Sequence, residues 1–527
     1  MTAITTTALG SRLDTALGRL TMYRLVLWVL AVLAGYSLLL NVLGWLTFGL
    51  PEMLAHLALC LGLTYASSQG LAGLFHVRAH TESSLITGLL LYFLFWPSQL
   101  TQGLQLAEIA GVALACVLAS ASKYALAWRG RHIFNPAAAG AFLAGLTGLN
   151  IATWWAATPA MLWLVLPGVL LVLYRTRKFA MAAVFTVVAV SIVAADLLRA
   201  GMDLPEALWQ TLAQRPVLFF VGFMLTEPLT LPPRRWQQLA LAAVVGALFA
   251  VPYNLGFVAN SPELALLAGN VLAFAVGQRG GVRLTFVASR PLTPTTTEFS
   301  FRPERPVRFA PGQALELHLP PDTAGDTRAA RGNGKGDGNG IRRVFSLTSA
   351  PGASLLTIGV GTAEPVSSAK RSLLALAPGA GLTATTVSGD FLLPRDPATP
   401  VLLVAAGIGI TPYVAQLAGA SAGNPAGDRD VVLLYLAKSA AELGYAEELQ
   451  RSEARVVARL ADGSAPPAFM EDAGARRIDA AALKDLVPDI GGREVFISGS
   501  PASVRSLRAA ARGAGARRVH VDFFAGY

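Results

Sequence analysis

Cysteine is almost missing from this sequence. Cys60 and Cys116 are the only two in 527 residues, too few for a cluster held by four thiolates. Both lie in apolar runs, where a buried structural thiol is the simpler reading. Charge is scarce as well: Asp, Glu, Lys and Arg make up 14% of the chain, against about 25% in an ordinary soluble domain. Acidic residues are the scarcer sign, 32 against 42 basic. No basic stripe with interleaved aromatics accompanies that surplus, so nucleic acid is excluded as a partner. Histidine numbers six. In the apolar half, His56, His76, His80 and His132 do not form the pairs on facing helices that haem needs, and no metal site is expected. The first twenty residues are polar and basic rather than signal-like.

What is present divides sharply. Up to about Val276 the chain is a series of long apolar runs, and from Arg279 onward it reads as a soluble protein. The runs fall near 24–48, 53–75, 84–97, 103–122, 136–151, 157–174, 179–198, 216–230, 237–253 and 262–277. A span needs about 20 apolar residues, so ten membrane helices are expected, the third and eighth short. One set of alternate loops carries Arg12, Arg19, Arg24, Arg78, Lys123, Arg129, Arg131, Arg175, Arg177, Lys178, Arg234 and Arg235; the other carries Arg199 and Arg215. That bias predicts a multi-pass protein of the bacterial cytoplasmic (inner) membrane with both termini cytosolic. Trp96, Trp154 and Trp155 are expected in an aromatic belt on the outer side.

Three segments are too polar for plain lipid-facing helices. They are Thr81-Glu82-Ser83-Ser84-Leu85-Ile86-Thr87-Gly88, His132-Ile133-Phe134-Asn135-Pro136-Ala137-Ala138, and Met224-Leu225-Thr226-Glu227-Pro228-Leu229-Thr230. Asn135 suits a helix N-cap and Pro136 the first turn, which would aim free N–H groups at whatever lies there. The prolines of the third segment break its helix early, as is tolerated where backbone lines a site within the protein. Each segment read alone is also an ordinary helix end near an interface. Glu82, Asp196 and Glu227 are candidates for ion coupling, with capping or snorkelling the simpler role.

Together and in this order the three segments resemble the RnfD/NqrB family of membrane proteins, components of the Rnf and Nqr complexes, over about residues 20–278. The resemblance implies a flavin-carrying electron-transfer domain built from inverted repeats of five helices. In that family FMN is attached to a threonine on the outer side. The matching place here, Trp154-Trp155-Ala156-Ala157-Thr158-Pro159, lacks the family's aspartate and upstream serine. The expectation is therefore a noncovalent second flavin, FMN or riboflavin, among Thr87, Asn135, Thr226 and Thr230, with Thr158 near the outer end.

Residues 283–318 alternate apolar and polar with Pro and Gly at the turns, the pattern of a small antiparallel barrel. Residues 322–340 are rich in Gly, Asp, Arg and Lys and read as a surface loop. In Arg343-Val344-Phe345-Ser346-Leu347-Thr348, the arginine suits a phosphate, the phenylalanine a flat ring, and Ser346 a ring nitrogen. Ser367 and Ser368 open a helical stretch whose first N–H groups suit a pyrophosphate. Val401-Leu402-Leu403-Val404 is a buried parallel strand running into Gly407-Ile408-Gly409-Ile410-Thr411-Pro412, where glycines admit a dinucleotide to the backbone. A further strand leads into Ser498-Gly499-Ser500-Pro501, and the chain ends in Tyr527.

This order resembles the ferredoxin–NADP reductase superfamily over about residues 282–527. The resemblance implies FAD held by Arg343, Phe345, Ser346, Thr348, Ser367 and Ser368. It implies NAD(P)H held by Gly407, Gly409, Thr411, Pro412, Gly499 and Pro501. Ser346, Ser498 and Tyr527 become the catalytic candidates, Tyr527 stacked on the flavin; Ser498 stands where the family has cysteine. Lys438 follows the second strand, near where a 2′-phosphate would bind, and is equally an ordinary turn residue, so NADH and NADPH remain open. The organisation expected is a cytosolic tail (1–22), a membrane electron-transfer domain (23–278), an antiparallel FAD-binding β-barrel (282–395) and an α/β parallel-sheet NAD(P)-binding domain (396–527). The function expected is transfer of electrons from cytosolic NAD(P)H through FAD into the membrane, to a quinone or periplasmic flavoprotein. A ferric-reductase-type enzyme and a redox-driven ion pump are the alternatives.

Overall fold

The computed structural model describes residues 22–75, 79–100, 105–128, 131–256, 258–276, 281–320, 341–364, 366–418 and 429–524. The chain divides into two units at the Gly280–Gly281 junction. In the N-terminal unit the order is α1 (Met22–Val42), α2 (Leu50–Leu74), α3 (Thr81–Leu94), α4 (Leu106–Ala125), a hairpin of β1 (Ala127–Trp128) and β2 (Arg131–His132), and α5 (Pro136–Gly145). The same order then recurs. It runs α6 (Pro159–Thr176), α7 (Phe179–Arg199), an inserted α8 (Leu204–Ala213), α9 (Val217–Phe220) continuing as a π-turn over Val221–Leu225, α10 (Arg235–Ala250), a hairpin of β3 (Asn254–Leu255) and β4 (Val258–Ala259), and α11 (Pro262–Val276).

Five of these helices are long and apolar enough to cross a membrane: α1, α2, α4, α6 and α7. The other expected spans give shorter helices. Local chemistry accounts for the early stops. Gly148 at φ +73° turns the chain after α5, Pro97 follows α3, and Pro228 follows the π-turn. The equivalent helices α1 and α6 run antiparallel. Tyr36 Oη donates to Ala160 O at 3.2 Å, Val29 packs on Gly168, and Met22 shares a cavity wall with Thr176. Small residues let the pairs close. A Cβ on Gly140 of α5 would lie 2.6 Å from Ala119 Cβ of α4, and one on Gly269 of α11 would lie 2.5 Å from Val245 Cγ2 of α10, the matching pair of the second copy.

The C-terminal unit begins with six antiparallel strands: β5 (Val282–Thr293), β6 (Thr296–Pro303), β7 (Ala314–Leu319), β8 (Ile341–Ser346), β9 (Leu356–Gly361) and, after α12 (Ser368–Leu374), β10 (Gly381–Ser388). They pair in the order β8-β7-β10-β5-β6-β9, and a bridge between Leu347 and Ile358 joins the end of β8 to β9. Val282, Leu284 and Phe286 alternate with exposed residues along β5 and pack on Phe299, Phe301, Leu315, Leu317 and Ile358. A parallel sheet follows. It is formed by β11 (Val401–Ala406), α13 (Thr411–Ala418), β12 (Val431–Ala437), α14 (Ala446–Gln450), β13 (Arg455–Leu460), β14 (Glu471–Asp472), α15 (Ala480–Leu486), β15 (Glu494–Gly499), α16 (Pro501–Gly513) and β16 (Arg518–Phe523). Its order is β14-β13-β12-β11-β15-β16. Val401–Ala405 are buried throughout, because apolar clusters cover both faces of the sheet.

At the lower edge of that sheet Arg493 is buried and donates to both carboxylate oxygens of Asp489 at 2.9 Å and to both of Asp430 at 2.9 and 2.6 Å. The contacts hold Asp489 below the usual carboxylate range and clamp the entries of β12 and β15.

Candidate functional site

The chain leaves β11 to one side for β12, β13 and β14, and returns to β15 on the other. A parallel sheet with such a reversal opens a crevice at the carboxyl ends of the two central strands. Gly407 and Gly409 leave β11 there. Ser498 and Gly499 end β15 beside them, with Ala405 paired to Ser498. Gly409 approaches so closely that a Cβ would press on Ser498 O and lie 2.8 Å from Gly499 N. Gly407 sits at φ +57° with nothing within 4 Å of a would-be Cβ. Gly409 therefore closes the packing, while Gly407 exposes backbone to an open space. Ser498 is fully buried, and its Oγ has no hydrogen-bond partner. An orphaned buried hydroxyl costs about 1–3 kcal/mol, which a nucleotide in the crevice would offset.

Thr411 and Pro412 open α13. Thr411 Oγ1 donates to Ile408 O at 3.1 Å, which folds the glycine turn onto the helix. Pro501 opens α16 behind Gly499, capped by Ser500, whose Oγ accepts from Ser503 N at 3.2 Å. Phe524, the last described residue, donates its N–H to Gly499 O at 2.9 Å. Tyr527 lies outside the described residues. Lys438 is exposed just past β12.

In the antiparallel sheet, Ser346 ends β8 opposite Ala314 and is buried, while Val344, two residues earlier on the same face, is exposed. Arg343 and Phe345 are half-buried on the other face, and Arg343 Nη1 donates to Arg342 O at 2.8 Å. Thr348 is turned inward. Its hydroxyl lies 2.7 Å from Thr357 Oγ1 and 3.4 Å from Glu298 Oε1. Ser367 stands at the N-cap position of α12 but makes no capping bond, and its Oγ is buried with no partner. Two of the serines singled out from the sequence, Ser367 and Ser498, thus carry hydroxyls that the folded chain leaves unsatisfied. That fits donors waiting for a phosphate and a nucleotide.

Sequence reasoning missed how the two sheets are joined. Tyr445 is buried at φ +64°, and a Cβ on Gly359 of β9 would lie 2.5 Å from its Oη and 2.7 Å from Thr411 Cγ2. Arg290 bridges Glu298 and Glu448 at 3.1 Å each. The available signal was a glycine in the middle of an apolar strand, which marks close approach of another chain segment.

The N-terminal unit holds a separate cavity of about 560 Å³, its open mouth included. Thr87, Asn135, Thr226 and Glu227 line it, with Tyr23 and Phe223. Asn135 Oδ1 caps α5 by accepting from Ala138 N at 3.0 Å, and its Nδ2 donates to Glu227 Oε2 at 2.8 Å; Glu227 Oε1 lies 3.2 Å from His132 Nε2. The three polar segments are thus brought together. Thr230 is buried and back-bonded to Glu227 O at 3.1 Å, and does not line the cavity. Thr158 stands before the first residue of α6, at the opposite end from Thr176 and roughly 27 Å away at 1.5 Å per residue. Its Oγ1 is buried without a partner.

The tryptophan belt is corrected. Trp96 is exposed, but Trp154 and Trp155 are buried, donating to Glu263 Oε1 and Tyr92 O at 2.7 Å each. Their indole N–H groups find internal acceptors, so burial costs them nothing polar. Glu82 pairs with Arg24 at 2.8 Å and Asp196 with Arg199.

The C-terminal unit has the two-sheet architecture of a nucleotide-linked flavoprotein reductase. No family model matches the chain. Ferredoxin–NADP reductase B of Sorangium cellulosum is 30% identical over 251 residues, which cover 45% of this chain and 93% of that protein. Through that half the chain belongs to the ferredoxin–NADP reductase family. The ferredoxin reductase component of 3-ketosteroid-9-alpha-monooxygenase from Mycolicibacterium smegmatis is 31% identical over 222 residues, 41% of this chain and 56% of that one. The chain spans about half to two thirds of the length of the first such relatives. The crystal structure of a ferredoxin NADP+ reductase from Neisseria gonorrhoeae, with bound FAD and NADP, aligns with 47% of this chain and 99% of its own, at 18% identity and a TM-score of 0.38.

Proposed function

We propose that the chain is a membrane-bound, FAD-containing NAD(P)H oxidoreductase that passes electrons into its apolar half and on to a quinone or an extracytosolic flavoprotein. The observation that carries this reading is the crevice where Gly407, Gly409 and the orphaned Ser498 hydroxyl converge. FAD, when bound, supplies the change from two-electron to one-electron chemistry. The residues supply position. Ser346 presents a buried hydroxyl to the ring edge, Arg343 and Ser367 hold phosphates by charge and by a donated hydrogen bond, and Ser498 orients the nicotinamide. Gly407 leaves room for the pyrophosphate.

In the apolar half we assign a second, noncovalent flavin, FMN or riboflavin, to the cavity between Thr87, Asn135 and Thr226. Its support is the set of donors and acceptors that line the cavity, with Tyr23 and Phe223 beside them. Thr230 acts from behind through Glu227, and Thr158 belongs to the far end. The five long apolar helices, with the loop bias in Lys and Arg, support an inner-membrane location with both termini cytosolic.

The test is purification of the intact chain and acid precipitation. FAD should appear in the supernatant together with a second flavin, and anaerobic NADH or NADPH should bleach the flavin absorbance. Release of no flavin, or no bleaching by either nucleotide, overturns the reading. One flavin per chain in active protein removes the second site alone.

A further inference from the structure

The segment that follows β12 belongs to the parallel sheet but is fastened to the antiparallel one at both ends. At its start Glu442 accepts from Thr293 Oγ1 at 3.4 Å and from Thr295 Oγ1. At its end Glu448 accepts from Arg290 at 3.1 Å, and Arg290 also holds Glu298 of β6. Between the two fastenings Tyr445 turns inward. Its backbone is left-handed, φ +64° and ψ +26°, a conformation that glycine takes freely and a ring-bearing residue rarely adopts. Its Oη is buried with no hydrogen-bond partner. Phenylalanine would fill nearly the same volume without stranding a hydroxyl, and glycine would take the backbone without strain. Both costs fall on one residue, which directs attention to what its side chain touches.

The phenol and Thr411 meet on the bare surface of β9. A Cβ on Gly359 would lie 2.5 Å from Tyr445 Oη and 2.7 Å from Thr411 Cγ2. Thr411 is the residue whose hydroxyl folds the glycine turn onto α13. On the other side, Gly359 pairs with Glu298, and Glu298 Oε1 accepts from Thr348 Oγ1 at 3.4 Å. Thr348 ends the segment expected to hold FAD, and the bridge between Leu347 and Ile358 ties that segment to β9. The phenol thus stands where the flavin-bearing sheet and the nucleotide turn come closest along β9. A spacer needs a fixed base, and the rest of the Tyr445 ring is packed in the apolar cluster of the parallel sheet. Spacing matters here because hydride transfer needs reacting atoms about 3–3.5 Å apart, and a misplacement of about 1 Å can cost about a hundredfold in rate.

We propose that Tyr445 is a positioning residue that sets the distance between the flavin-bearing sheet and the glycine turn, and with it the approach of the nicotinamide to the flavin. The proposal rests on the NAD(P)H oxidoreductase reading above. It is tested on the full-length, flavin-loaded protein by rapid-mixing reduction with NADH and with NADPH, which separates the rate at saturation from the nucleotide Kd. A second readout is the long-wavelength absorbance of nicotinamide stacked on flavin. Tyr445→Leu should slow saturated reduction by about tenfold or more per bound FAD and weaken that band, with Kd kept within about threefold. Tyr445→Phe, a swap that nearly conserves volume, should stay within about threefold of wild type. Gly359→Ala presses on the same contact from the other side and should slow the step as well. Combined with Tyr445→Leu, which makes room for the methyl, its effect should shrink rather than add. A Tyr445→Leu or Gly359→Ala protein that reduces its flavin at the wild-type rate with the band intact overturns the proposal. So does a loss accounted for wholly by lower flavin content, which would make Tyr445 a packing residue, and so do additive effects in the double variant. A wild-type protein whose flavin neither nucleotide reduces overturns instead the reading on which the proposal rests.

Discussion

Substituting the two crevice glycines one at a time separates packing from ligand access. A methyl at Gly409 would lie 2.5 Å from Ser498 C and 2.8 Å from Gly499 N, and closer still to Ser498 O. These are backbone atoms of a central strand, so no rotamer change relieves the overlap; the end of β15 must move. Overpacking of this kind costs about 1–3 kcal/mol, and rigid partners place Gly409→Ala near the top of that range. At about 2–4 °C per kcal/mol for a unit of this size, the melting temperature should fall by about 6–12 °C. Gly407→Ala meets no atom within 4 Å. It costs only the left-handed backbone at φ +57°, about 1–2 kcal/mol, but its methyl enters the space left for the pyrophosphate. Gly407→Ala should therefore raise the KM for NAD(P)H with kcat largely kept. Gly409→Ala should lower kcat as well, because Ser498 is displaced. The assay is thermal release of flavin fluorescence beside steady-state kinetics with ferricyanide. A Gly409→Ala protein that melts and turns over like the wild type would refute the reasoning.

The clamp at the opposite edge of the sheet gives a pH prediction. The depressed Asp489 carboxyl contributes stability that is present above its unfolded pKa of about 3.9 and is lost as pH falls through the lower folded value. The stability gap between wild type and Asp489→Asn should thus be fully open at pH 6 and narrow as pH falls below about 3.9; a gap that does not change with pH in melts taken across that point would sink the assignment. Arg493→Ala should cost about 1.5–3 kcal/mol, read in the same melts, since its partners Asp430 and Asp489 are more than half exposed and rehydrate. Glu227→Ala removes the acceptor of Asn135 and the partner of His132, and should lower flavin content in the intact protein without changing FAD bound to the C-terminal unit, as acid-released flavins quantified separately would show. Tyr527→Ser should alter flavin fluorescence and nucleotide affinity, since Phe524 is tied to Gly499 beside the crevice; identical spectra and kinetics would make the terminal aromatic mere packing. A reporter fused after Tyr527 should read cytosol and one inserted near Asn150 periplasm, and the reverse pattern would contradict the loop-charge argument.

The nucleotide crevice was legible because its parts are local. A buried apolar strand, a glycine turn and a helix start lie within Val401–Leu417, and each declares itself by residue type. The parallel pairing of Ala405 with Ser498 joins segments some ninety residues apart, and only the shared family pattern tied them together. Tyr445 was not legible, because a tyrosine after a glycine turn looks like any core aromatic until Gly359 and Thr411 are in place around it. Span length was hard to read for a related reason. A run such as 136–151 is apolar enough, but Gly145, Thr147 and Gly148 end its helix early, and hydropathy does not register φ. The Trp154-Trp155 pair was misplaced because an indole next to polar residues reads as interfacial, while the acceptors that let it be buried, Glu263 and Tyr92 O, come from distant helices.

The antiparallel match of α1 with α6 means that any hollow formed at one end of the N-terminal unit has a mirror position at the other. The cavity lies at the starts of α1, α3 and α5 and the ends of α6 and the π-turn. Its counterpart lies at the starts of α6, α9 and α11 and the ends of α1 and α3. That place is stoppered. Trp154 reaches Glu263 in the first turn of α11 and rests on Phe219 and Phe220, while Trp155 leans on Tyr92 and Phe93. The unpaired Thr158 hydroxyl sits three residues beyond the plug. A duplicated backbone thus offers two receptacles, and a pair of indoles decides that one of them is filled by the protein itself. Small residues at 154 and 155 would uncork the second without redrawing a single helix.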